Sequence, residues 1–176
     1  MKELSLHILD LAENAVAAGA CHVLISLETN GPEGLLRLSV EDDGAGMDPE
    51  TLRRALEPGF TTRETGRGGN GLPLLHDAVQ SAGGGISLWS AAGGGTEVRI
   101  WYPSAHVNAL PIGDIAETMA VLLTTHPDVD VVYRHRDGSR ILLYSTAQAR
   151  QLAARDARPG LAAWNWTRAV FAEGPV

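Results

Sequence analysis

The chain has 176 residues, of which 44% are hydrophobic and 20% charged, the balance of a soluble globular protein. Its net charge of −7 argues against nucleic-acid binding, which needs clustered lysine and arginine. No apolar run approaches the roughly 20 residues that cross a bilayer, and the N-terminal residues carry acids where a secretory signal is apolar. We therefore expect a cytoplasmic protein that binds neither nucleic acid nor membrane. The single Cys21 cannot form an intramolecular disulfide, and its apolar neighbours predict a buried thiol.

The first hundred residues alternate between helical and strand patterns. Apolar positions at helical spacing predict a helix over residues 3–18, which Gly19 ends. The predicted strands, residues 22–29, 35–42, 86–90 and 96–103, form two hairpins, and further helices are predicted over residues 49–56 and 72–82. Asp48 and Pro49 are typical of a helix start. The order predicts an α+β fold, a two-layer sandwich with helices on one face of a mainly antiparallel sheet.

A boundary is expected where residues 104–110 show no periodicity. Residues 1–104 would form one domain, and residues 110–176 a small α/β C-terminal region for interaction or dimerisation. Its predicted elements are a helix over 113–127, a hairpin over 129–145, and helices over 145–154 and 160–174. Trp164, Trp166 and Phe171 share the last helix and are interpreted as core or interface anchors.

The first helix is mostly apolar with one thin polar stripe, formed by Glu3, His7, Asp10 and Asn14. A surface helix normally has a wide polar face, so the stripe suggests a helix buried beside a cavity. Asp10 and Asn14 are four residues apart and would reach the same point. The alternative, that the stripe merely faces water, stays open from the pattern alone.

Three other stretches carry glycines beside polar groups. Asp42 ends a strand and is followed by Gly44 and Gly46, which permit a tight turn beside a flat group. Glycines 66, 68, 69 and 71 lead directly into a helix, whose first N–H groups suit a phosphate. Thr96 opens the last strand of this half, where its hydroxyl would lie near the same phosphates.

Five segments in order over residues 9–98 resemble the N, G1, F, G2 and G-T boxes of the GHKL superfamily: LDLAENAVAAGA, EDDGAGM, PGFTTR, GNGLPLL and GGGTEV. This group includes sensor histidine kinases, anti-sigma serine kinases, Hsp90 chaperones, type II topoisomerases and DNA mismatch-repair ATPases. The resemblance implies the Bergerat fold, with ATP and Mg²⁺ bound between helices and sheet beneath a lid. The lid would be about residues 58–70.

The resemblance also implies roles for individual residues. Asn14 would bind Mg²⁺, Asp42 would accept the adenine amino group, and Asp10 is a candidate base, one methylene shorter than the glutamate of the hydrolytic branches. The implied nucleotide site comprises Asn14, Asp42, Gly44, Gly46, Met47, Thr61, Thr62, Arg63, Arg67, Gly69, Asn70, Gly71, Leu72 and Thr96. Arg63 and Arg67 would pair with phosphate, although solvated lid charges are an equal alternative. His7 is interpreted as structural or cavity-lining rather than as a phosphoacceptor.

Three functions remain open from the sequence. The first is a Mg·ATP-binding regulator that acts on a protein partner through nucleotide-dependent lid closure, for example as a protein kinase in trans. The second is a slow, dimerising ATPase of mismatch-repair type. The third is a non-catalytic accessory subunit of a redox complex, because residues 110–136 resemble the tail of small ATP-binding proteins that accompany iron-only hydrogenases.

Overall fold

The computed structural model describes residues 3–60 and 70–175. Within them the helices are α1 (Leu4–Ala17), α2 (Pro49–Arg54), α3 (Gly71–Ser81), α4 (Ile115–Thr125), α5 (Thr146–Ala153) and α6 (Pro159–Glu173). The strands are β1 (His22–Thr29), β2 (Leu35–Asp42), β3 (Gly85–Ser90), β4 (Thr96–Pro103), β5 (Asp130–Asp137) and β6 (Arg140–Ser145). Each predicted helix and strand is present, with ends shifted by a residue or two.

All six strands belong to one sheet in the order β3-β4-β2-β1-β5-β6. Every pair is antiparallel except β1 and β5, which run parallel with His22 beside Asp130. Alternate side chains of β1, β2, β5 and β6 are buried, and helices pack on that face. The predicted α+β sandwich with helices on a mainly antiparallel sheet is therefore confirmed.

The core lies between the helices and the sheet. Its fully buried side chains include Leu4, Ile8, Ile25, Leu27, Leu75, Ile100, Tyr102, Met119, Leu122, Tyr133 and Tyr144. Burial of each large apolar side chain contributes about 1.5–3 kcal/mol, so this layer fixes α1 and α3 against the strands. The site described below lies between these two helices and the sheet.

Residues after β4 return to the start of α1. The backbone N–H groups of Leu4 and Ser5 donate to the carbonyl oxygens of Pro111 and Ile112, at 2.9 and 2.8 Å. The Tyr102 hydroxyl donates to the Leu110 carbonyl at 3.1 Å. The bonds from Leu4 and Ser5 satisfy donors that the first turn of a helix leaves unpaired. They also hold the C-terminal region against the helix that carries Asp10 and Asn14.

The C-terminal elements extend the same sheet. β5 pairs with β1, and α6 packs over β5 and β6, where Phe171 contacts both Tyr133 and Tyr144 at ring-centroid distances of 5.4 and 5.3 Å. Trp166 stacks on Tyr144 at 5.8 Å. Trp166 and Phe171 of α6 therefore pack against strands of the same chain.

One prediction is wrong: Cys21 is exposed, not buried. It stands in the turn before β1, where Asp43 accepts the backbone N–H groups of Cys21 and His22 at 2.8 Å each. Its apolar neighbours Ala20 and Val23 are buried, but Cys21 itself lies on the exposed side of the turn. Of the helices in the described ranges, none has the length and hydrophobicity to span a bilayer.

Candidate functional site

A cavity of about 520 Å³ lies between α1, α3 and the ends of β2 and β4. Its walls combine apolar side chains from the core with a small number of polar groups, the usual composition of a small-molecule site. The lining residues are Asp10, Leu11, Asn14, Ala15, Ala17, Ala18, Val40, Asp42, Gly46, Met47, Thr51, Ala55, Phe60, Asn70, Gly71, Leu72, Pro73, Leu74, Thr96 and Val98.

Helix α1 turns its polar stripe toward this cavity at Asp10 and Asn14. The Asn14 side-chain amide donates to Oδ2 of Asp10 at 3.3 Å, the contact expected for residues four apart on a helix. His7, one turn earlier, is instead buried in the core and does not line the cavity. Glu13 points away and its Oε1 lies 2.8 Å from Nε2 of His126. Of these side chains, only Asp10 and Asn14 offer oxygen atoms to a ligand in the cavity.

Asp42 lies at the end of β2, on the opposite wall. Its Oδ1 accepts the backbone N–H of Gly44 at 2.9 Å, which holds the carboxylate in the loop that follows the strand. Burial raises the pKa of Asp42 above its usual value of 3.8, against the backbone hydrogen bonds from Gly44 and Thr96, which lower it. Such a carboxylate is a directed acceptor for a hydrogen-bond donor on a ligand.

The loop after Asp42 requires glycine at a definite position. Gly46 has a φ of +64°, and a Cβ there would overlap the backbone carbonyl of Ala91. Gly95 has a φ of +76°, and its Cβ would overlap the carbonyl of Asp42 itself. The two loops therefore pack backbone against backbone, which is possible only without side chains at these positions.

A serine that the sequence analysis missed joins these two loops. Ser90 Oγ accepts the backbone N–H of Met47 at 2.8 Å, donates to the Gly95 carbonyl at 2.8 Å, and lies 3.0 Å from Thr96 Oγ1. Ser90 thus orients Thr96, a predicted site residue that lines the cavity. A serine at a strand end has no distinctive pattern, so only the pairing of β3 with β4 reveals this role.

Helix α3 begins at the cavity. Gly71 is its first residue, and a Cβ at this position would overlap the carboxylate of Asp10. Asn70 precedes the helix, and its Oδ1 accepts the backbone N–H of Gly59 at 3.2 Å. The first residue of α3 therefore lies close to Asp10. A negatively charged group placed there would meet the positive end of the helix.

Helix α2 and the residue that follows it contribute wall residues that the sequence analysis also missed, namely Thr51 and Ala55. Phe60 completes this wall, and the Arg54 guanidinium lies 4.3 Å from its ring centroid. Thr51 and Ala55 carry no motif, and their place follows from the packing of a short helix beside β3, whereas Phe60 belongs to the segment PGFTTR that resembles the F box.

The predicted site residues fall into three groups. Those that line the one cavity are Asp10, Asn14, Asp42, Gly46, Met47, Asn70, Gly71, Leu72 and Thr96. Gly44 does not line it but donates its N–H to Asp42. The rest, Thr61, Thr62, Arg63, Arg67 and Gly69, lie outside the described residues, and so does most of the predicted lid.

A family model supports the sequence resemblance. The model described as "Histidine kinase-, DNA gyrase B-, and HSP90-like ATPase" matches residues 2–106, which include α1, the first four strands and every predicted site residue. The match ends just after β4, near the sequence break at residues 104–110.

Individual relatives match over the same half of the chain. A putative sensor protein of Shewanella frigidimarina is 33% identical over 102 residues, which are 56% of this chain and 15% of that protein. The sensor histidine kinase ZraS of Escherichia coli K12 is 33% identical over 96 residues, 54% of this chain and 20% of its own. The chain thus covers about a fifth or less of the length of these relatives.

A solved structure reproduces the fold over a larger share of the chain. The N-terminal domain of a DNA repair protein has a TM-score of 0.54 and covers 81% of this chain and 52% of that one. The sequence identity is 14%, so this likeness concerns the fold alone.

Proposed function

The chain belongs to the family of histidine kinase-, DNA gyrase B- and HSP90-like ATPases, and we propose that its cavity binds ATP with Mg²⁺ to regulate a protein partner. The observation that carries this proposal is that Asp42 and Asn14, from opposite walls, line one cavity. One end of that cavity suits a flat base with an amino group, and the other suits a phosphate chain.

The adenine end would be the loop around Asp42. The carboxylate would accept the adenine amino group, and Gly46 and Met47, which line the same cavity, would lie beside the ring. Val40 and Val98 supply an apolar surface beside Asp42. A buried acceptor that is held by the backbone discriminates strongly between bases, because a base without the matching donor would leave it unpaired.

The phosphate end would be the start of α3. The N–H groups after Asn70 and the positive end of the helix would receive phosphate oxygens. Asn14 fits a Mg²⁺ ligand because its side chain lines the same cavity, and Mg²⁺ is commonly held by few protein oxygens together with water and phosphate. Over the described parts of the chain, no three His, Cys, Asp or Glu side chains are placed to hold a metal by themselves. When bound, Mg²⁺ would offset negative charge on the phosphates.

Regulation would act through residues 58–70, the predicted lid. Phe60 and Asn70 stand at the two ends of the segment that the structure leaves undescribed, and both line the cavity. Bound phosphate would recruit Arg63 and Arg67 and favour a closed arrangement. A partner would sense that closure, and one form of the response is phosphoryl transfer to it, with this chain as a kinase in trans. A cytoplasmic location is part of the proposal, since ATP is available there.

The proposal is tested by titrating the protein with ATP in the presence and absence of Mg²⁺, using wild type and Asn14→Ala. We expect saturable binding that Mg²⁺ strengthens in the wild type, and a loss of most of that Mg²⁺ effect in the variant. Equal ATP binding with and without Mg²⁺ in both proteins would remove Asn14 from the metal site. Absence of binding at millimolar ATP would overturn the proposed function.

A second function, slow ATP hydrolysis, is favoured by one contact. Asp10 lines the cavity next to Asn14 and beside the first residue of α3, where it could activate a water near the last phosphate. Steady-state phosphate release that disappears in Asp10→Ala, with ATP affinity retained, would support this function. Turnover that is the same in both proteins would exclude Asp10 as the base.

A further inference from the structure

The sheet has a second face, away from the helices, and it carries a cluster of arginines. We propose that this open face is a docking surface for an acidic, partly apolar segment of a protein partner. The arginines are Arg37 on β2, Arg99 on β4, and Arg134 and Arg136 on β5. The surface is distinct from the cavity that would bind ATP, so both sites could be occupied together.

Strand register brings the four arginines around a shallow centre. Arg99, Ser39, Ser26 and Arg134 lie side by side on consecutive strands, and the two serines are the short residues in the middle. In the next row of the same face, Glu28 on β1 lies between Arg37 on β2 and Arg136 on β5. Strands are about 4.8 Å apart, so long arginine side chains can converge above the serines. The depression between them measures about 480 Å³.

Two of these arginines have no acidic partner. In the described residues, Arg37 pairs with Glu33 and Arg99 with Glu97, whereas no salt bridge involves Arg134 or Arg136. Both are exposed. Four arginines and one glutamate, Glu28, line the depression, so its local charge is positive in a chain whose net charge is −7. Guanidinium pairs with carboxylate through two parallel hydrogen bonds.

Apolar side chains surround the arginines on the same face. Trp89 is 55% exposed, Trp101 39%, Leu143 65% and Ile141 46%. Tryptophan and arginine are the residues that contribute most to protein–protein binding. Three glutamates, Glu28, Glu41 and Glu97, also lie on this face. A nucleic-acid backbone carries a charge at every residue and would meet them, whereas a segment that alternates acidic and apolar residues can place its acids on the arginines alone. An extended segment with alternating acidic and apolar residues fits the chemistry best.

A labelled peptide that alternates glutamate and leucine tests the surface by fluorescence anisotropy with the full chain. We expect saturable binding at low salt that weakens at least about tenfold in Arg134→Glu with Arg136→Glu. The matched control is Arg155→Glu with Arg158→Glu, the same charge change at exposed positions between α5 and α6, which should bind as wild type does. If the double charge reversal lowers the melting temperature of the protein, the double variant Arg134→Gln with Arg136→Gln is used in its place.

Several outcomes would overturn the proposal. These are no saturable binding, an equal loss in the control pair, or tighter binding of a lysine–leucine peptide or of an oligothymidylate. Sedimentation that shows a dimer abolished by the Arg134 and Arg136 substitutions would make a second copy the occupant instead. ATP affinity, measured in parallel, should be unchanged in every variant, so a failure here is separate from a failure of the proposed ATP site.

Discussion

Gly71 lies so close to Asp10 that a Cβ at position 71 would overlap the Asp10 carboxylate. This contact joins the start of α3 to the polar stripe of α1. It places the start of α3, the proposed phosphate site, next to Asp10, whose carboxylate accepts a hydrogen bond from Asn14, the proposed metal ligand. Any side chain at position 71 must displace either Asp10 or the helix start.

Gly71→Ala is therefore expected to weaken ATP binding by at least about tenfold, because a shift of α3 moves the phosphate-binding N–H groups. Calorimetric titration with Mg·ATP measures the effect. Gly160→Ala is the control, since Gly160 has open space around its Cβ position and an ordinary φ. The double variant Asp10→Ala with Gly71→Ala should recover part of the loss if overlap is the cause. The same affinity in Gly71→Ala and wild type would contradict this account.

Asp42 and the adjacent Asp43 offer a matched pair. Asp42 lines the cavity, whereas Asp43 lies outside it and binds Nδ1 of His22 at 2.8 Å. Asp42→Asn should lower ATP affinity by roughly 10- to 100-fold, the cost of a lost charge-assisted hydrogen bond, while Asp43→Asn should leave it unchanged. Competition with GTP should also become more effective in Asp42→Asn, because adenine selectivity rests on this acceptor. Equal loss in both variants would point to a general disturbance of the loop.

The raised pKa of Asp42 gives ATP binding a pH dependence. The ionised carboxylate is the acceptor, and burial shifts its protonation to a higher pH than the usual 3.8. As pH falls from neutral into the acidic range, the wild-type affinity should decline relative to that of Asp42→Asn, which cannot titrate at this position. Both proteins bind the same ATP, so the titration of its phosphates cancels in the ratio of the two affinities. A ratio independent of pH would show that Asp42 is not the acceptor.

His7 gives the fold a pH dependence of its own. It is buried, neither ring nitrogen has a hydrogen-bond partner in the described residues, and burial lowers its pKa from 6.5 to about 4. The unfolded chain takes up a proton below about pH 6.5 and the folded chain does not. The stability associated with neutral His7 is thus complete above pH 6.5 and falls between pH 6.5 and about 4, by about 1.4 kcal/mol per pH unit.

Two variants of His7 separate titration from burial. His7→Leu should flatten this slope and also stabilise the protein at neutral pH by about 1–3 kcal/mol, because it removes two unpaired polar atoms. His7→Gln should flatten the slope without that gain. Urea denaturation at several pH values measures both. A slope unchanged in His7→Leu would mean that other groups cause the acid sensitivity.

The glycines between β3 and β4 allow strain and overlap to be measured separately. Gly93 and Gly95 have similar φ values, +74° and +76°, but a Cβ at position 93 has open space whereas one at position 95 meets the Asp42 carbonyl. Gly93→Ala should cost about 1 kcal/mol of stability from the left-handed backbone alone. Gly95→Ala should cost about 1–3 kcal/mol more and also weaken ATP binding. Equal unfolding free energies for the two variants would contradict the close approach of the loops.

The fold was largely predictable because its local signals agree with its tertiary packing. Residues 22–29 alternate as a half-buried strand does, and they form β1 with Val23, Ile25 and Leu27 buried. Asp48 was predicted as a cap and accepts the N–H groups of Glu50 and Thr51 at 2.8 and 2.9 Å. Membership of the GHKL superfamily, predicted from five ordered motifs, is confirmed by the family match.

What the sequence did not reveal depends on contacts between distant residues. The parallel pairing of β1 with β5 joins segments about a hundred residues apart, and no periodicity within either strand encodes it. Thr51 and Ala55 reach the cavity, and Ser90 contacts the lining residues Met47 and Thr96, only because neighbouring strands and helices place them there. Cys21 was misjudged because exposure of a turn is set by what packs over it. The roles of individual site residues remain predictions.

A crystal structure of the chain with Mg²⁺ and a non-hydrolysable ATP analogue would test the central claim most directly. The account predicts the adenine amino group within hydrogen-bonding distance of the Asp42 carboxylate, the phosphates at the start of α3, and Mg²⁺ on the Asn14 amide oxygen. A nucleotide bound elsewhere, or bound here with Asp42 and Asn14 both turned away from it, would contradict the account.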